Sequence, residues 1–238
     1  MLRELELKIA RHPITLRVDV SSVVLCENAG HAARIAHALS ATGARIIDGA
    51  ESGRGTLPEQ LGRRFAVDRA AHVIDKLHLP QDILEWRTRD LTVLQRMLVA
   101  SLGAVLADVD LIVFDVTKLA ASPFDVAHAF AHLARLRSNV PAHIIALIAD
   151  PALLSSAGSY LVVMHGDEVV ESGALADLLA RPASEPLQQR LAQTPIASPL
   201  AMQLRHVQRA STTAVNYAHT QIIALPTKDS VALAGGEE

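Results

Sequence analysis

Hydrophobic and polar residues alternate in two stretches near the start of the chain, residues 5–9 and 14–20, with Arg-His-Pro at residues 11–13 between them. A period of two is typical of a β-strand that buries one face, so the pattern predicts an antiparallel pair of strands. Residues 22–25 predict another short strand. This strand leads into the loop sequence CENAGHAAR, which begins at Cys26.

After the loop, the apolar positions take up a helical period and predict one amphipathic helix that ends at Gly43. Its apolar stripe consists of Ala32, Ile35, Ala36 and Leu39. Residues 44–47 predict a short strand. The composition of residues 50–61 changes to Glu, Ser, Gly, Arg and Pro, which is typical of a loop. Residues 69–77 and 83–87 predict two helical segments.

The central part of the chain combines apolar helices with apolar strands. Residues 97–107 predict a helix, and residues 111–114 predict a buried strand that ends on Asp115. Ser122-Pro123 predicts the start of the next helix. Residues 140–149 are apolar and β-branched, which is typical of a central parallel strand. Asp115 is an acid at the carboxyl end of an apolar strand, and this is the usual position of a ligand site in a parallel sheet.

The last strongly patterned part of the chain predicts a hairpin followed by a helix. Residues 160–164 and 168–171 flank the turn sequence His165-Gly166-Asp167. A helix is predicted from residue 173 to 179. Near the end of the chain, only residues 200–209 have a helical pattern.

Composition narrows the range of functions. The 238 residues carry a net charge of -3 and contain 3% aromatic residues, so the chain has neither the basic field nor the stacking side chains of a nucleic-acid-binding protein. Cys26 is the single cysteine, which excludes an internal disulfide and suits a reducing cytosol. The first residues have no apolar signal-peptide core, and the most apolar helix has about half of the ~20 residues that span a bilayer. We therefore expect a cytoplasmic protein that reaches a membrane only through a partner.

Three segments carry a family resemblance: LTVLQR from Leu91, LIVFDVTKLAASP from Leu111, and LVVMHGDEVVESGALADLLARP from Leu161. They resemble the signature region, the Walker B strand with its D-loop, and the hairpin and helix after the switch histidine in the nucleotide-binding subunit of ABC transporters. The third segment, the following EPLQQRLAQ and the stretch RAAHVIDKLHLPQDILEWRTRDLTVLQR are most similar to the ATPases of oligopeptide, dipeptide and nickel importers.

The resemblance implies an α/β fold, namely the P-loop NTPase-like ABC ATPase fold. This fold would comprise a mostly parallel core sheet, a small antiparallel β part and a reduced helical subdomain at about residues 66–100. The ABC ATPase-like domain would cover residues 1–192. Residues 193–238 would form a C-terminal extension that is partly irregular.

The resemblance places a phosphate loop at CENAGHAAR, where most of the functional residue types are replaced. Phosphate loops use glycines for close backbone approach, a lysine for the β- and γ-phosphates and a hydroxyl for magnesium. Ala32 stands at the lysine position, and Ala33 and Arg34 stand at the hydroxyl positions. Glycine positions are occupied by Cys26, Ala29 and His31. The vestigial loop consists of Cys26, Gly30, His31, Ala32, Ala33 and Arg34. We expect no hydrolysis, because even one missing electrostatic donor raises the transition-state barrier substantially.

The other catalytic positions of the family are also replaced, with the exception of Asp115. The water-orienting glutamate, the switch histidine and the D-loop aspartate correspond to Val116, Ala149 and Ser122. No catalytic residue is therefore expected in this chain.

The segment that corresponds to the signature has lost both glycines. Its vestigial residues are Leu91, Thr92 and Gln95, and without glycines the helix behind them no longer brings its amides close to a phosphate. Gln60 is the single nearby candidate for the glutamine loop. His12 stands in place of the aromatic residue that would stack on adenine.

Several polar residues have two interpretations. Asp115 is either a magnesium ligand or an acid that hydrogen-bonds the neighbouring loops. The loop that begins at Cys26 either offers helix N-terminal amides to an anion or is a plain strand-to-helix turn. The Cys26 side chain is either a reactive thiol or a small buried hydrophobe. His128 and His132 have the spacing of metal ligands on one helix, but Arg135 continues their face, which favours a solvated or partner-facing surface.

The replacements favour a catalytically inactive pseudo-ATPase subunit with a structural or regulatory role and no cofactor. Its expected partners are a homologous ABC ATPase subunit, a membrane permease, or both, and its expected place is the cytoplasm or the cytoplasmic face of the membrane. One alternative is a divergent but active ATP-binding protein that uses ATP and magnesium, with Arg34 in place of the lysine. Another alternative is a stand-alone scaffold or a small-molecule-binding domain.

Overall fold

The computed structural model describes residues 4–9, 12–17, 21–50, 55–62, 65–119 and 123–194. Its strands are β1 (Glu4–Ile9), β2 (His12–Arg17), β3 (Ser22–Leu25), β4 (Arg45–Ile47), β5 (Leu111–Asp115), β6 (His143–Ile148), β7 (Tyr160–His165) and β8 (Glu168–Ala174). Its α-helices are α1 (Ala29–Ser40), α2 (Leu57–Leu61), α3 (Val67–Lys76), α4 (Val93–Leu106), α5 (Pro123–Asn139), α6 (Leu154–Ala157), α7 (Leu175–Ala180) and α8 (Glu185–Gln193). Short 3₁₀ turns lie at Gln81–Leu84, Thr88–Asp90, Thr117–Leu119 and Pro151–Leu153.

Six strands form one sheet in the order β4-β5-β6-β3-β7-β8. Neighbouring strands run parallel, except that β8 returns antiparallel to β7. β1 and β2 form a separate antiparallel pair, in which Glu4 lies opposite Arg17. The architecture confirms the α/β class, the mostly parallel sheet and the small antiparallel part. Residues 18–20 of the predicted second strand lie outside the described residues.

The sheet separates two layers of apolar side chains, because alternate residues of each strand point to opposite faces. In β3, Val24 belongs to the layer that contains α1, whereas Val23 and Leu25 belong to the layer that contains α4 and α5. All four residues of the predicted α1 stripe are buried, and Leu39 has no exposed surface. Burying one such aliphatic side chain contributes about 1.5–3 kcal/mol relative to leaving it exposed. α1 is therefore anchored firmly on the sheet.

The predicted loop at residues 50–61 is wrong in part, because it contains α2. This helix begins after Thr56, whose N–H donates to Glu59 Oε2 at 2.8 Å. Pro58 lies in the first turn, where its missing N–H costs nothing. Leu57 anchors the turn in the core. The polar composition of the segment conceals a Thr-x-x-Glu capping pattern.

The segment predicted as the helical subdomain differs from the sequence prediction at its helix boundaries. α3 is present as predicted, but the helical segment predicted at residues 83–87 is reduced to the 3₁₀ turn Gln81–Leu84. α4 begins at Val93 rather than at the predicted Met97. Within the described part of the chain, every helix is too short or too polar to cross a membrane.

β7 and β8 form the predicted hairpin. Gly166 in its turn has a φ of 56°, a left-handed conformation that glycine adopts without steric cost. β8 continues to Ala174, because Gly173 still pairs with Leu161 of β7. The predicted helix start at Gly173 is therefore wrong, and α7 begins at Leu175. The helix predicted at residues 200–209 lies outside the described residues.

α5 buries a histidine that the sequence pattern assigns to a solvated face. His132 is 1% exposed, and its ring centroid lies 6.2 Å from that of Phe114. Neither ring nitrogen has a hydrogen-bond partner among the described residues. Burial lowers the pKa of His132 to about 3. The expectation of a solvated or partner-facing position is therefore wrong for His132, because the buried face of α5 is wider than its apolar stripe indicates. His128, on the same helix, is half-buried.

Candidate functional site

The carboxyl ends of the parallel strands bring the predicted site residues to one edge of the sheet. Cys26 follows β3, and Asp115 ends β5. The Cys26 N–H donates to the carbonyl of Ile148 in β6 at 2.8 Å, and the Val116 N–H donates to the carbonyl of Leu147 at 3.1 Å. These bonds hold the loops after β3 and β5 on either side of β6.

The loop after β3 is closed by its own side chains. Asn28 caps α1, and its Oδ1 accepts the N–H of His31 at 2.9 Å. The N–H of Glu27 donates to His31 Nδ1 at 3.4 Å. Two amides that a phosphate loop would offer to an anion are therefore bonded within the loop. The geometry is that of a capped strand-to-helix turn.

His31 adds no positive charge to this loop. Its side chain is 1% exposed, and because Nδ1 accepts a hydrogen bond, the proton of the neutral ring is on Nε2. Nε2 is buried without a partner among the described residues. Burial and, to a smaller extent, the charge of Arg34 lower the pKa of His31. The ring is therefore neutral near physiological pH.

The residue that the sequence resemblance places at the lysine position of a phosphate loop, Ala32, lies in the hydrophobic core. Ala32 has no exposed surface and packs in the same apolar cluster as Ile35. Ala33 and Arg34 are exposed. The Arg34 Nη2 atom lies 3.3 Å from Oδ1 of Asp167 in the β7–β8 turn. Arg34 is therefore paired with an acid at the exposed surface of the loop rather than directed into the loop.

Asp115 stabilises the turn that follows it. Its Oδ1 accepts the N–H of Thr117 at 2.9 Å and the hydroxyl of Thr117 at 2.6 Å. Its Oδ2 is buried without a partner among the described residues, and burial raises the pKa of Asp115. Lys118 lies nearby, but its Nζ is 2.5 Å from Asp48 Oδ2, just beyond β4. The acid is therefore part of a turn rather than of a close ion pair.

The site does not fit magnesium. Magnesium requires a nearly octahedral set of oxygen ligands, whereas Asp115 has only Oδ2 unbonded and positions 33 and 34 provide no hydroxyl. Across the described residues, no group of three or more His, Cys, Asp or Glu side chains could hold a metal ion.

Cys26 is a buried residue rather than an exposed thiol. It has no exposed surface, and its thiol donates to the carbonyl of Val24 at 3.7 Å. Burial and the nearby charge of Asp115 raise the pKa of Cys26 to about 12. Because the thiolate is the reactive form, this environment suits the small-hydrophobe interpretation.

The vestigial signature is closed in the same way as the loop at α1. The Gln95 N–H donates to Thr92 Oγ1 at 3.2 Å, and the Thr92 N–H donates to Gln95 Oε1 at 2.9 Å. The guanidinium of Arg96 donates to the carbonyl of Leu91 at 2.7 Å and to that of Gly49 at 2.6 Å. The N-terminus of α4 is therefore capped from within and attached to the loop after β4. The Thr-x-x-Gln spacing is the sequence signal for this cap.

Two residues that the sequence analysis does not single out, Glu27 and Arg190, lie at this edge of the sheet. They line an open cleft of about 350 Å³ whose walls are Glu27, Ala149, Asp150, Pro151, Arg190, Gln193 and Thr194. Arg190 lies on α8 and donates to the carbonyl of Ala149, which the sequence resemblance places at the switch-histidine position. Its Nη1 atom is buried without a partner among the described residues. The cleft therefore contains both signs of charge.

Glu171 fixes α8 beside this cleft. Its carboxylate accepts the N–H of Ala183 at 2.8 Å, the N–H of Ser184 at 2.9 Å and the hydroxyl of Ser184 at 2.5 Å. A carboxylate at a helix N-terminus is favourable because it satisfies free amides and complements the helix dipole. EPLQQRLAQ, noted for its family resemblance, forms this helix.

The remaining predicted positions do not join the site. Gln60 is an exposed residue of α2. Ser122 and the side chain of His12 lie outside what the structure describes.

Solved structures of ABC transporter components resemble this chain, although no family model matches it and no curated protein matches its sequence. CbiO1 of Clostridium perfringens, part of the ABC transporter complex CbiONQ, has a TM-score of 0.58 at 10% identity over 92% of this chain and 98% of its own. An inward-facing ABC transporter described as of a metal-chelate type has a TM-score of 0.61 at 13% identity over 80% of this chain and 90% of its own. An ATP-binding cassette of an ABC transporter in its ADP conformation has a TM-score of 0.56 at 12% identity over 78% of this chain and 99% of its own.

The similarity extends over most of both chains in each pair, but its low identity establishes the fold alone. The mostly parallel six-stranded sheet agrees with the core sheet that the sequence resemblance implies. This chain therefore has the P-loop NTPase-like fold of ABC transporter ATPases.

Proposed function

We propose that this chain is a catalytically inactive pseudo-ATPase that serves as a structural or regulatory subunit. The observation that carries the proposal is the closed loop at the start of α1. Asn28 and His31 bond the loop amides internally, and Ala32 is buried at the position of the lysine. A nucleotide would find two of the loop amides already bonded and no ammonium group at position 32.

The vestigial signature supports the same proposal. In an ABC ATPase dimer, this helix N-terminus would face the nucleotide of the partner subunit. Thr92 and Gln95 cap each other here, so at each helix N-terminus that would serve a phosphate, a side chain already accepts one amide of the first turn. Two independent closures are difficult to reconcile with an active nucleotide site.

Arg34 does not serve well as a substitute for the missing lysine. Its guanidinium is paired with Asp167 at 3.3 Å, and its side chain is 58% exposed. A cation at the rim of the loop is screened by water and contributes little to a phosphate in the loop. This geometry disfavours the alternative of a divergent active ATPase.

The proposed partners are an intact ABC ATPase subunit, a membrane permease, or both, at the cytoplasmic face of the membrane. CbiO1 is part of a transporter complex, and the segments named in the sequence analysis resemble ATPases of the oligopeptide, dipeptide and nickel importers, a resemblance that we extend to this chain's partners as a proposal. Purification of the tagged chain from its own cells tests this role. Recovery of an ABC ATPase or a permease is expected, whereas a monomer without either partner would favour a stand-alone scaffold.

Steady-state hydrolysis tests the inactive part of the proposal. The purified chain should release no more phosphate from magnesium ATP than the Asp115→Ala variant. Turnover that exceeds that of Asp115→Ala would show that the acid still works in catalysis and would overturn the proposal.

A further inference from the structure

α8 ends at the rim of the cleft that Glu27 and Arg190 line. The residues after its last turn, Gln193 and Thr194, form part of the cleft wall. The Thr194 hydroxyl donates to the carbonyl of Arg190 at 2.8 Å, and the Thr194 backbone is extended, with φ -76° and ψ 122°. Pro195 follows, and a residue before proline is restricted to extended conformations. The chain after α8 therefore starts at the cleft itself.

The cleft offers both apolar and polar groups to an occupant. Ala149 and Pro151 are apolar parts of its wall, and its volume of about 350 Å³ is of the size that accepts a few side chains or a small ligand. The Nη1 atom of Arg190 is buried without a partner among the described residues. Because buried donors in proteins are normally hydrogen-bonded, an acceptor from outside the described residues would complete this wall.

The first residues after α8 have the matching chemistry. Residues 195–200 read PIASPL and carry no charge, and the next charged residue is Arg205. Ile196 and Leu200 supply apolar side chains. The two prolines have no backbone N–H, so the segment offers more carbonyl acceptors than amide donors. Such a segment suits an arginine that lacks an acceptor.

We propose that residues 195–200 occupy this cleft, so that the chain covers the carboxyl edge of its own sheet beside the vestigial loop. The segment is attached at the rim of the cleft, which makes its docking intramolecular. Even a weak contact is then favoured by an effective concentration of about a millimolar or more. The inference goes beyond the proposed function, because it requires neither a nucleotide nor a partner subunit.

Thiol labelling tests the inference in the full chain. Asp150→Cys places a reporter on an exposed part of the cleft wall, and the native Cys26 does not interfere, because it has no exposed surface. A maleimide reagent should label the reporter slowly when the segment is docked. Ile196→Ser combined with Leu200→Ser should raise the labelling rate about ten-fold, because both side chains lose apolar contacts in the cleft.

Two controls match this experiment. Ile222→Ser combined with Leu225→Ser removes the same side chains further along the chain and should leave the labelling of Asp150→Cys slow. Ala71→Cys, at an exposed position of α3, should be labelled at the same rate with either serine pair. Gln193→Cys is a second reporter, on the α8 side of the cleft, and it replaces Asp150→Cys if that variant does not fold.

Each labelling rate is divided by the rate of the same variant unfolded in urea. The inference is overturned if Asp150→Cys is then labelled as fast as Ala71→Cys, because the cleft would be open. It is also overturned if the serine pair at 196 and 200 does not accelerate labelling, or if both serine pairs accelerate it equally. None of these results bears on magnesium ATP binding or on copurified partners, so this inference and the proposed function can fail separately.

Discussion

The side-chain oxygen of Asn28 accepts the backbone N–H of His31 at 2.9 Å. This bond occupies the third amide of α1, which is one of the unsatisfied donors at any helix N-terminus. In a phosphate loop, such amides remain open for the ligand. One short side chain therefore stabilises the helix and closes the loop.

Asn28→Ala should lower the free energy of unfolding by about 1 kcal/mol, the usual effect of losing an N-cap. Asn28→Asp keeps an acceptor and should remain close to the wild type. Urea denaturation followed by circular dichroism measures both. Equal stability of Asn28→Ala and the wild type would mean that the cap is not formed in solution.

Ala32→Lys should not restore a nucleotide site. Because Ala32 has no exposed surface, a lysine there must displace core side chains or bury its charge, at a cost of about 2–4 kcal/mol. Ala33→Lys is the control, since Ala33 is exposed and substitutions at such positions usually change stability by less than about 0.5 kcal/mol. A stable Ala32→Lys variant that binds ATP would contradict the closed-loop description.

His132 should make the protein sensitive to acid. Burial lowers its pKa to about 3 in the folded state, while the unfolded chain takes up the proton near the ordinary pKa of about 6.5. The folded state therefore loses stability as pH falls below that value. Between pH 7 and pH 5 the loss is roughly 2 kcal/mol.

His132→Leu removes this proton linkage. The variant should lose less stability than the wild type between pH 7 and pH 5, as measured by urea denaturation at each pH. His72→Leu, at an exposed position of α3, should keep the slope of the wild type. If the free energy of unfolding of His132→Leu fell as much between pH 7 and pH 5 as that of the wild type, His132 would not be buried without partners.

Asp115→Asn tests whether the acid is a structural residue. The amide oxygen can still accept from Thr117, and the buried charge disappears, so stability at pH 7 should remain within about 0.5 kcal/mol of the wild type or rise. Asp115→Ala loses both turn hydrogen bonds and should be lower by about 1–2 kcal/mol. Because burial raises the pKa of Asp115, its ionised form destabilises the folded protein at pH values above the ordinary pKa. The free energy of unfolding of Asp115→Asn, relative to that of the wild type, should therefore be higher at pH 7 than at pH 4. Strong destabilisation by Asp115→Asn at pH 7 would indicate that a cation needs the carboxylate.

The strands and the main helices could be predicted from the sequence, because their residues are buried in regular patterns. The α1 stripe and the central strands carry the periods of a helix packed on a parallel sheet. The start of α4 could also have been found, since Thr92 and Gln95 have the capping-box spacing. The short helix α2 has the same kind of signal at Thr56 and Glu59.

The charged contacts of the site could not be predicted. Glu27 meets Gly166 and His165 only because β3 and β7 are neighbours in the sheet, which the spacing along the chain does not show. Arg190 reaches Ala149 because Glu171 fixes the start of α8. The burial of His132 depends on how α5 packs over Phe114, and hydrophobic periodicity does not indicate a buried polar residue.

Calorimetric titration of the purified wild-type chain with magnesium ATP tests the pseudo-ATPase proposal most directly. The closed loop, the buried Ala32 and the capped α4 predict no binding heat in the micromolar range, and the same result for Asp115→Ala. Micromolar binding by the wild type would contradict the proposal.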